Sequence, residues 1–129
     1  MLSDTTQRRL GWAMSLLFVL FMIGASALPK LMRLPMVDDI MAGLGYPDAP
    51  ILMIGVMEAL FALMFLFPPT ALLGGILMMG VLGGAVVTNL RADQPLFSHT
   101  LFSLYLGAWM WLALWLRDAA FRAVFPVKR

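Results

Sequence analysis

The sequence contains no cysteine, a single histidine and few charged residues. The absence of cysteine excludes a disulfide framework, a CxxC redox pair and a thiolate metal site. One histidine cannot supply two imidazole ligands to a haem. The chain also has no GxGxxG, P-loop or HExxH pattern, so nothing indicates a nucleotide, metal or haem cofactor.

Charged residues make up 12% of the chain, against about 25% in an ordinary soluble domain. Hydrophobic residues instead reach 62% over 129 residues. A water-soluble domain of this size would expose large apolar patches, which lead to aggregation unless lipid covers them. We therefore predict that the chain is surrounded by the lipid bilayer. The nine Lys and Arg residues stand singly or in pairs between apolar runs, which does not indicate a nucleic-acid partner.

Four apolar runs approach or reach the roughly 20 residues that a helix needs to cross the hydrocarbon core. They predict an all-α fold, a four-transmembrane-helix bundle formed by residues 1–129 as a single domain. The predicted spans are residues 10–28, 51–67, 70–90 and 97–116. Pro68 and Pro69 separate the second span from the third, which indicates a tight antiparallel hairpin, and Thr70 is the predicted N-cap of the third span.

The distribution of basic residues predicts the orientation. Four spans leave both termini on one face of the membrane, with six of the nine basic residues: Arg8, Arg9, Arg117, Arg122, Lys128 and Arg129. The opposite loops carry Lys30, Arg33 and Arg91. The positive-inside rule then places the N and C termini in the cytoplasm, with Arg117 at the water boundary. An alternative interpretation takes Arg8-Arg9 and Ala25-Ser26-Ala27 as a secretory signal with an A-x-A cleavage site, which would leave three spans.

Small residues recur along the third span. Gly80, Gly84 and Thr88 follow one another at intervals of four residues, with Gly83 and Ala85 beside them, and Gly74 and Gly75 lie near the start of the span. Helices in a membrane associate where small side chains allow the backbones to approach closely. The pattern therefore predicts that these small residues pack against a neighbouring helix. The alternative is that the glycines help to admit a ligand.

Glu58 is the only acidic residue inside the second apolar run. It lies about 10 Å along the helix from Ile51, too deep for its short side chain to reach water. An ionisable residue at this depth indicates function unless it serves a structural ion pair. Lys30, which follows the first span on the same side, is a candidate partner, because Pro29 can bend that helix end inward. The alternative for Lys30 is an ordinary interfacial lysine.

Further polar side chains gather in the same outer half of the bundle. These are Ser26, Thr88, Asn89, Arg91, His99, Ser103 and Tyr105. Together they predict a substrate-binding pocket in which Glu58 and Lys30 form the catalytic acid and base pair. Two alternatives stay open: Ser26 and Ser103 can bond their own helix backbones, and His99 can be a helix-start residue in the interface.

Several short motifs occur in a characteristic order. They are the Gly-x-x-x-x-Pro-Lys-Leu stretch from Gly24 to Leu31, Leu44-Gly45-Tyr46-Pro47, Ile54-Gly55-x-x-Glu58, Pro68 and Gly83-Gly84-Ala85. Taken together, the motifs resemble the DoxX and DoxX-like family of small bacterial integral membrane proteins. The similarity extends from about Gly11 to Arg117. One departure is that Thr88-Asn89 stands where the family often has a Thr-His-like pair, which argues against a histidine-dependent role.

The resemblance implies a multi-pass protein of the bacterial cytoplasmic membrane. It implies an accessory or small subunit of a quinone-linked redox system, with quinone as a candidate cofactor and a membrane or peripheral redox protein as a candidate partner. Two other hypotheses remain. One is a stand-alone enzyme that uses Glu58 for acid/base chemistry on a lipophilic small molecule, and the other is a structural or assembly protein. The sequence does not decide whether the chain is an enzyme or forms a homo-oligomer.

Overall fold

The computed structural model describes residues 1–128, which contain helices and no strand. We label the helices α1 (Asp4–Leu31), α2 (Pro35–Gly43), α3 (Ile51–Leu66), α4 (Ala71–Arg91), α5 (Leu96–Arg117) and α6 (Ala119–Val124). Within the described residues, α1, α4 with its preceding turn, and α5 are long and apolar enough to cross a membrane, and α3 is a shorter apolar helix. The all-helical class is thus confirmed. Arg129, one of the basic residues used to predict orientation, lies outside the described range.

Helix α1 is longer than the predicted span. It begins at Asp4 because Ser3 acts as its N-cap, with the Ser3 hydroxyl accepting a hydrogen bond from the backbone N–H of Thr6. The helix widens to a π-helical segment over Met22–Ala27 and then continues through Pro29 to Leu31. A proline has no N–H and clashes with the carbonyl one turn earlier, so the wider turn lets the helix pass Pro29 without ending.

The four longer helices form a closed ring, in which α1 packs against α5 and α3, and α4 packs against α3 and α5. A single 3₁₀ turn over Pro68–Thr70 joins α3 to α4, as the two prolines predicted. Thr70 occupies the N-cap position of α4, but its hydroxyl makes no cap bond there. It donates instead to the carbonyl of Met64, 2.8 Å away, and so satisfies an open carbonyl at the end of α3.

The two ends of the ring differ in their contents. At the terminal end, which holds the start of α1, the end of α5 and the α3–α4 turn, buried side chains fill the interior: Phe18, Phe65, Met78, Met110, Ala113, Leu114 and Phe121. At the loop end, residues of α2 and of the segment after it, Met41, Leu44 and Tyr46, line a cavity between the helices. The outer surface remains apolar, with side chains such as Leu20 and Ile76 more than half exposed. An exposed apolar surface of this kind is suited to lipid acyl chains.

Candidate functional site

An ion pair links α1 to α3 in the loop half of the ring. The Lys30 ammonium nitrogen lies 3.1 Å from Glu58 Oε2, and the two side chains are only 12% and 7% exposed. Lys30 Nζ also donates to the hydroxyl of Ser26 at 2.8 Å and to the carbonyl of Ser26 at 3.1 Å. The Ser26 hydroxyl in turn donates to Glu58 Oε2 at 3.0 Å. The pairing of Lys30 with Glu58 that the sequence suggested is therefore present, with Ser26 bridging the two charges.

The local sequence explains why α1 and α3 meet here. Gly55 precedes Glu58 by almost one turn of α3 and lies against α1, where a Cβ atom would come within 2.9 Å of the Lys30 Cβ. Any side chain at Gly55 would therefore push the lysine away from the carboxylate. Ser26 belongs to the π-helical segment, which sets its hydroxyl toward α3. Ser26 thus bonds Glu58 through its hydroxyl, and not its own helix backbone as one alternative had it.

The ion pair lines a cavity of about 460 Å³ at the loop end of the ring. This volume lies within the range of roughly 300–1,000 Å³ that is typical of small-molecule sites. Most of the wall is apolar, with side chains from every helix of the ring, among them Met22, Ile54, Met57, Val81 and Leu106. The cavity thus combines an apolar lining with one buried, neutral pair of charges.

Three further polar residues from the predicted set line the same cavity: Thr88 and Asn89 from α4, and Ser103 from α5. The Thr88 hydroxyl donates to the carbonyl of Gly84, and the Asn89 side-chain amide donates to the carbonyl of Ala85. Both side chains therefore donate one hydrogen bond to a carbonyl of their own helix. Ser103 is buried, and its hydroxyl has no hydrogen-bond partner among residues 1–128.

The glycine stripe of α4 forms part of the cavity wall, which corrects the packing prediction made from its spacing. A Cβ atom at Gly80, Gly83 or Gly84 would have no heavy atom within 4 Å, and Gly80 and Gly84 line the cavity. The predicted close contact is present at Gly74, near the start of the same helix. A Cβ at Gly74 would overlap the backbone of Met64 and Phe65. Glycine at positions 80 and 84 therefore enlarges the cavity and does not bring two helices into contact.

Comparison with protein families matches residues 13–113 to the DoxX-like family. The match covers most of the 129 residues and includes both members of the ion pair. The chain belongs to the DoxX-like family. It is accordingly a small membrane protein, in agreement with its long apolar helices. Searches of curated proteins and of solved structures gave no match.

Three residues of the predicted pocket lie outside the main cavity of this DoxX-like protein. Arg91 extends away and donates to the carbonyl of Gly45 at 3.3 Å. Tyr105 is 48% exposed on the outer surface, because two residues after the inward-facing Ser103 a helix presents a nearly opposite face. His99 is exposed, and its Nδ1 lies 2.7 Å from the Ser98 hydroxyl. It lines a neighbouring depression that shares Asn89 and Ser103 with the cavity.

Sequence reasoning missed the contribution of the α2 region. Met41 at the end of α2, with Leu44 and Tyr46 just after it, lines the loop end of the cavity. The backbone reverses here through Gly45, whose φ of +71° is readily available only to glycine. The Leu44-Gly45-Tyr46-Pro47 motif contained the available signal. It contributed to the family resemblance but gave no hint that these side chains face the cavity.

A second buried charge lies at the opposite end of the ring. Arg117 was predicted to mark the water boundary, yet it is only 8% exposed. Its guanidinium lies 4.4 Å from the ring centre of Trp12 and 4.6 Å from that of Phe65, and its Nη2 donates to the carbonyl of Phe65. A cation at the C-terminal end of α3 complements the helix dipole there. Arg117 therefore joins three helices instead of facing solvent.

Proposed function

We propose that this protein binds a lipophilic small molecule with a polar end in the loop-end cavity, as an accessory or small subunit of a quinone-linked membrane redox system. The observation that carries the binding proposal is the buried pair of Lys30 and Glu58 at the wall of a cavity that is otherwise largely apolar. Such a wall complements an apolar molecule that carries a few hydrogen-bonding groups.

The position of the ion pair favours binding over a purely structural role. A buried ion pair is weak evidence for stability, because desolvation of the two charges can exceed their attraction. A pair that served only to join α1 and α3 would be covered by packed side chains. Here the pair is buried and yet borders a cavity, which Gly80 and Gly84 of α4 also line.

The cavity also extends to the side of the ring. Phe21, Gly80 and Phe102 line it and are exposed, and Gly80 lies near the middle of α4. Residues exposed at that depth of an apolar bundle face acyl chains. A molecule dissolved in the bilayer can therefore reach the cavity laterally, without passing through water.

We further propose that all four helices of the ring cross the bacterial cytoplasmic membrane, with both termini in the cytoplasm. Helix α3 has 16 residues, about 24 Å of helix. It lies in the ring between α1 and α4, both of which are long enough to cross. The bias of basic residues toward the terminal end supports the orientation. The cavity then opens toward the outer leaflet.

The redox assignment rests on the family, and the geometry of the site is compatible with it. Quinone and quinol headgroups are apolar rings with polar groups at the edge, so the ring of either form is compatible with the apolar part of the lining. A second candidate function is a stand-alone enzyme that uses Glu58 as a proton acceptor. The observation that favours it is that Glu58 Oε1 has no hydrogen-bond partner among residues 1–128.

The binding proposal is tested by the molecules that remain with the purified protein. Gly84→Leu places a branched side chain into the cavity, while Gly83→Leu places the same side chain on α4 outside it, since Gly83 does not line the cavity. We expect mass spectrometry of lipid extracts to find a non-phospholipid compound retained by the native protein and by Gly83→Leu, but depleted severalfold in Gly84→Leu. Equal extracts from all three proteins would contradict the proposal.

The choice between subunit and enzyme requires a functional assay. Glu58→Gln keeps the shape of the side chain and removes its ability to titrate. Full activity of this variant in cellular complementation would rule out proton transfer by Glu58. Recovery of a flavoprotein or quinone-reducing partner with the tagged native protein supports the subunit. Turnover of an added lipophilic substrate by the purified chain alone supports the enzyme.

A further inference from the structure

The hydrogen-bonding groups around the cavity are not evenly divided between donors and acceptors. An ammonium group has three N–H donors, and Lys30 Nζ has three partners inside the protein: the Ser26 hydroxyl, the Ser26 carbonyl and Glu58 Oε2. The Ser26 hydroxyl proton is also used, because it points to Glu58 Oε2. The cationic end of the ion pair therefore has no donor left for a ligand.

The acceptors, in contrast, are largely free. Glu58 Oε2 receives both bonds from α1, and Glu58 Oε1 receives none from residues 1–128. The side chains of Asn89 and Thr88 donate hydrogen bonds to carbonyls of α4. The Asn89 side-chain oxygen and the Thr88 hydroxyl oxygen therefore remain available as acceptors. The remaining groups with a free proton are the second amide hydrogen of Asn89 and the hydroxyls of Ser103 and Tyr46, and the two hydroxyls can accept as well as donate.

We infer that the ligand is a neutral lipophilic molecule whose polar end donates hydrogen bonds, such as a phenol or another hydroxyl compound, and that Glu58 Oε1 is its principal acceptor. This inference rests on the proposed binding function and specifies its ligand class. Lys30 and Glu58 cancel each other's charge inside the apolar bundle, so the site does not require a charged ligand. A ligand with acceptors alone would place its oxygen atoms next to Glu58 Oε1 and leave that carboxylate oxygen without a hydrogen bond. An unpaired acceptor is unfavourable in a buried site.

Three probes of nearly the same skeleton separate the possibilities: an alkylated hydroquinone, the corresponding benzoquinone and the hydroquinone dimethyl ether. The first offers two donors, and the other two offer acceptors only. Affinities are measured by anaerobic equilibrium dialysis against the full chain in detergent. Uptake by Gly84→Leu in the same detergent serves as the blank for partition into the micelle. We expect the hydroquinone to bind at least about tenfold more tightly than the other two, the ratio that one charge-assisted hydrogen bond supplies.

Glu58→Gln sharpens the test. Its amide oxygen can accept from Lys30 and Ser26 while its amino group turns to the cavity, so we expect the preference for the hydroquinone to disappear. Ser103→Ala is the matched control, because a hydroxyl serves donors and acceptors alike. We expect it to weaken all three probes similarly and leave their ratio unchanged.

The outcomes distinguish the two proposals. If the native protein binds the probes with a ratio below about tenfold, or prefers the benzoquinone, the inference about donors is wrong and the proposed binding function stands. If no probe binds the native protein more than it binds Gly84→Leu, the binding function itself fails. The native ratio decides the inference even if Glu58→Gln does not fold.

Discussion

Glycine has opposite effects in the two halves of the ring. In the terminal half, a Cβ at Gly11 would come within 2.5 Å of the Arg117 backbone nitrogen, and a Cβ at Gly74 would overlap the backbone of α3. Glycine there permits helices to touch. In the loop half, Gly80 and Gly84 have no neighbour within 4 Å and border the cavity. Close packing thus holds the ring together at the terminal end. At the loop end, α1 and α3 still touch at Gly55, but the stripe of α4 borders the cavity.

The two buried cations, Arg117 in the terminal half and Lys30 in the loop half, also differ in their surroundings. Arg117 lies between the rings of Trp12 and Phe65 and donates to the main-chain carbonyl of Phe65, with the Asp118 carboxylate as a charged neighbour. Lys30 lies beside a carboxylate at the wall of the cavity. Among residues 1–128, no acidic side chain forms an ion pair with Arg117, whereas Lys30 forms a full ion pair with Glu58. This difference agrees with our proposal that the loop half binds a ligand, and it predicts that stability depends chiefly on the terminal half.

The largest effect is expected from breaking the ion pair from one side. Lys30→Met removes the charge that neutralises Glu58, and leaves the carboxylate buried with only Ser26 as a donor. We expect the free energy of unfolding to fall by about 4 kcal/mol, the usual cost of a buried charge without its partner. Denaturation in mixed micelles, followed by circular dichroism, measures this value.

The control for that prediction is the double variant Lys30→Met with Glu58→Gln, which removes both charges and keeps the side-chain volumes. We expect it to recover most of the lost stability, since a buried ion pair contributes little over neutral groups of the same shape. A double variant as unstable as Lys30→Met alone would show that the pair itself holds α1 to α3. The loop half would then be as structural as the terminal half.

A smaller loss is expected from Gly74→Ala in the terminal half. The added methyl group overlaps the backbone of Met64 and Phe65, which cannot rotate away as a side chain can. We expect a destabilisation of about 2–3 kcal/mol, typical of overpacked interiors. Gly83→Ala is the matched control in the same helix, where the methyl group meets nothing within 4 Å. If both variants kept the native unfolding midpoint, α3 and α4 would not be in close contact at Gly74.

The hydropathy of the chain was sufficient to predict the helical class and the approximate ends of α3, α4 and α5, because a segment surrounded by lipid must be continuously apolar. The importance of Glu58 was predictable for the same reason, because an acidic side chain in a continuously apolar segment needs a bonding partner. The topology then indicated Lys30, since both residues are near the same end of adjacent helices. The ion pair in the structure agrees with that reasoning.

The contribution of Gly80 and Gly84 to the cavity wall could not be predicted from the sequence. Glycines at intervals of four residues look the same whether a neighbouring helix touches them or not, and only the distance between helices distinguishes Gly74 from Gly84. The burial of Arg117 was missed for a related reason. A basic residue at a helix end can face water or turn inward, and the aromatic rings of Trp12 and Phe65 that receive it come from distant parts of the chain.

The smallest expected effect is a gain in stability from Gly84→Ala. Alanine favours a helix over glycine by roughly 0.5–1 kcal/mol, and here the added methyl group enters open space. We expect a rise of that size in the free energy of unfolding, equal within error to the rise for Gly83→Ala. Only Gly84→Ala should also reduce uptake of the alkylated hydroquinone, because only Gly84 lines the cavity. A loss of stability in Gly84→Ala would mean that a neighbouring helix closes over this stripe, and the contrast between the two halves of the ring would then no longer hold.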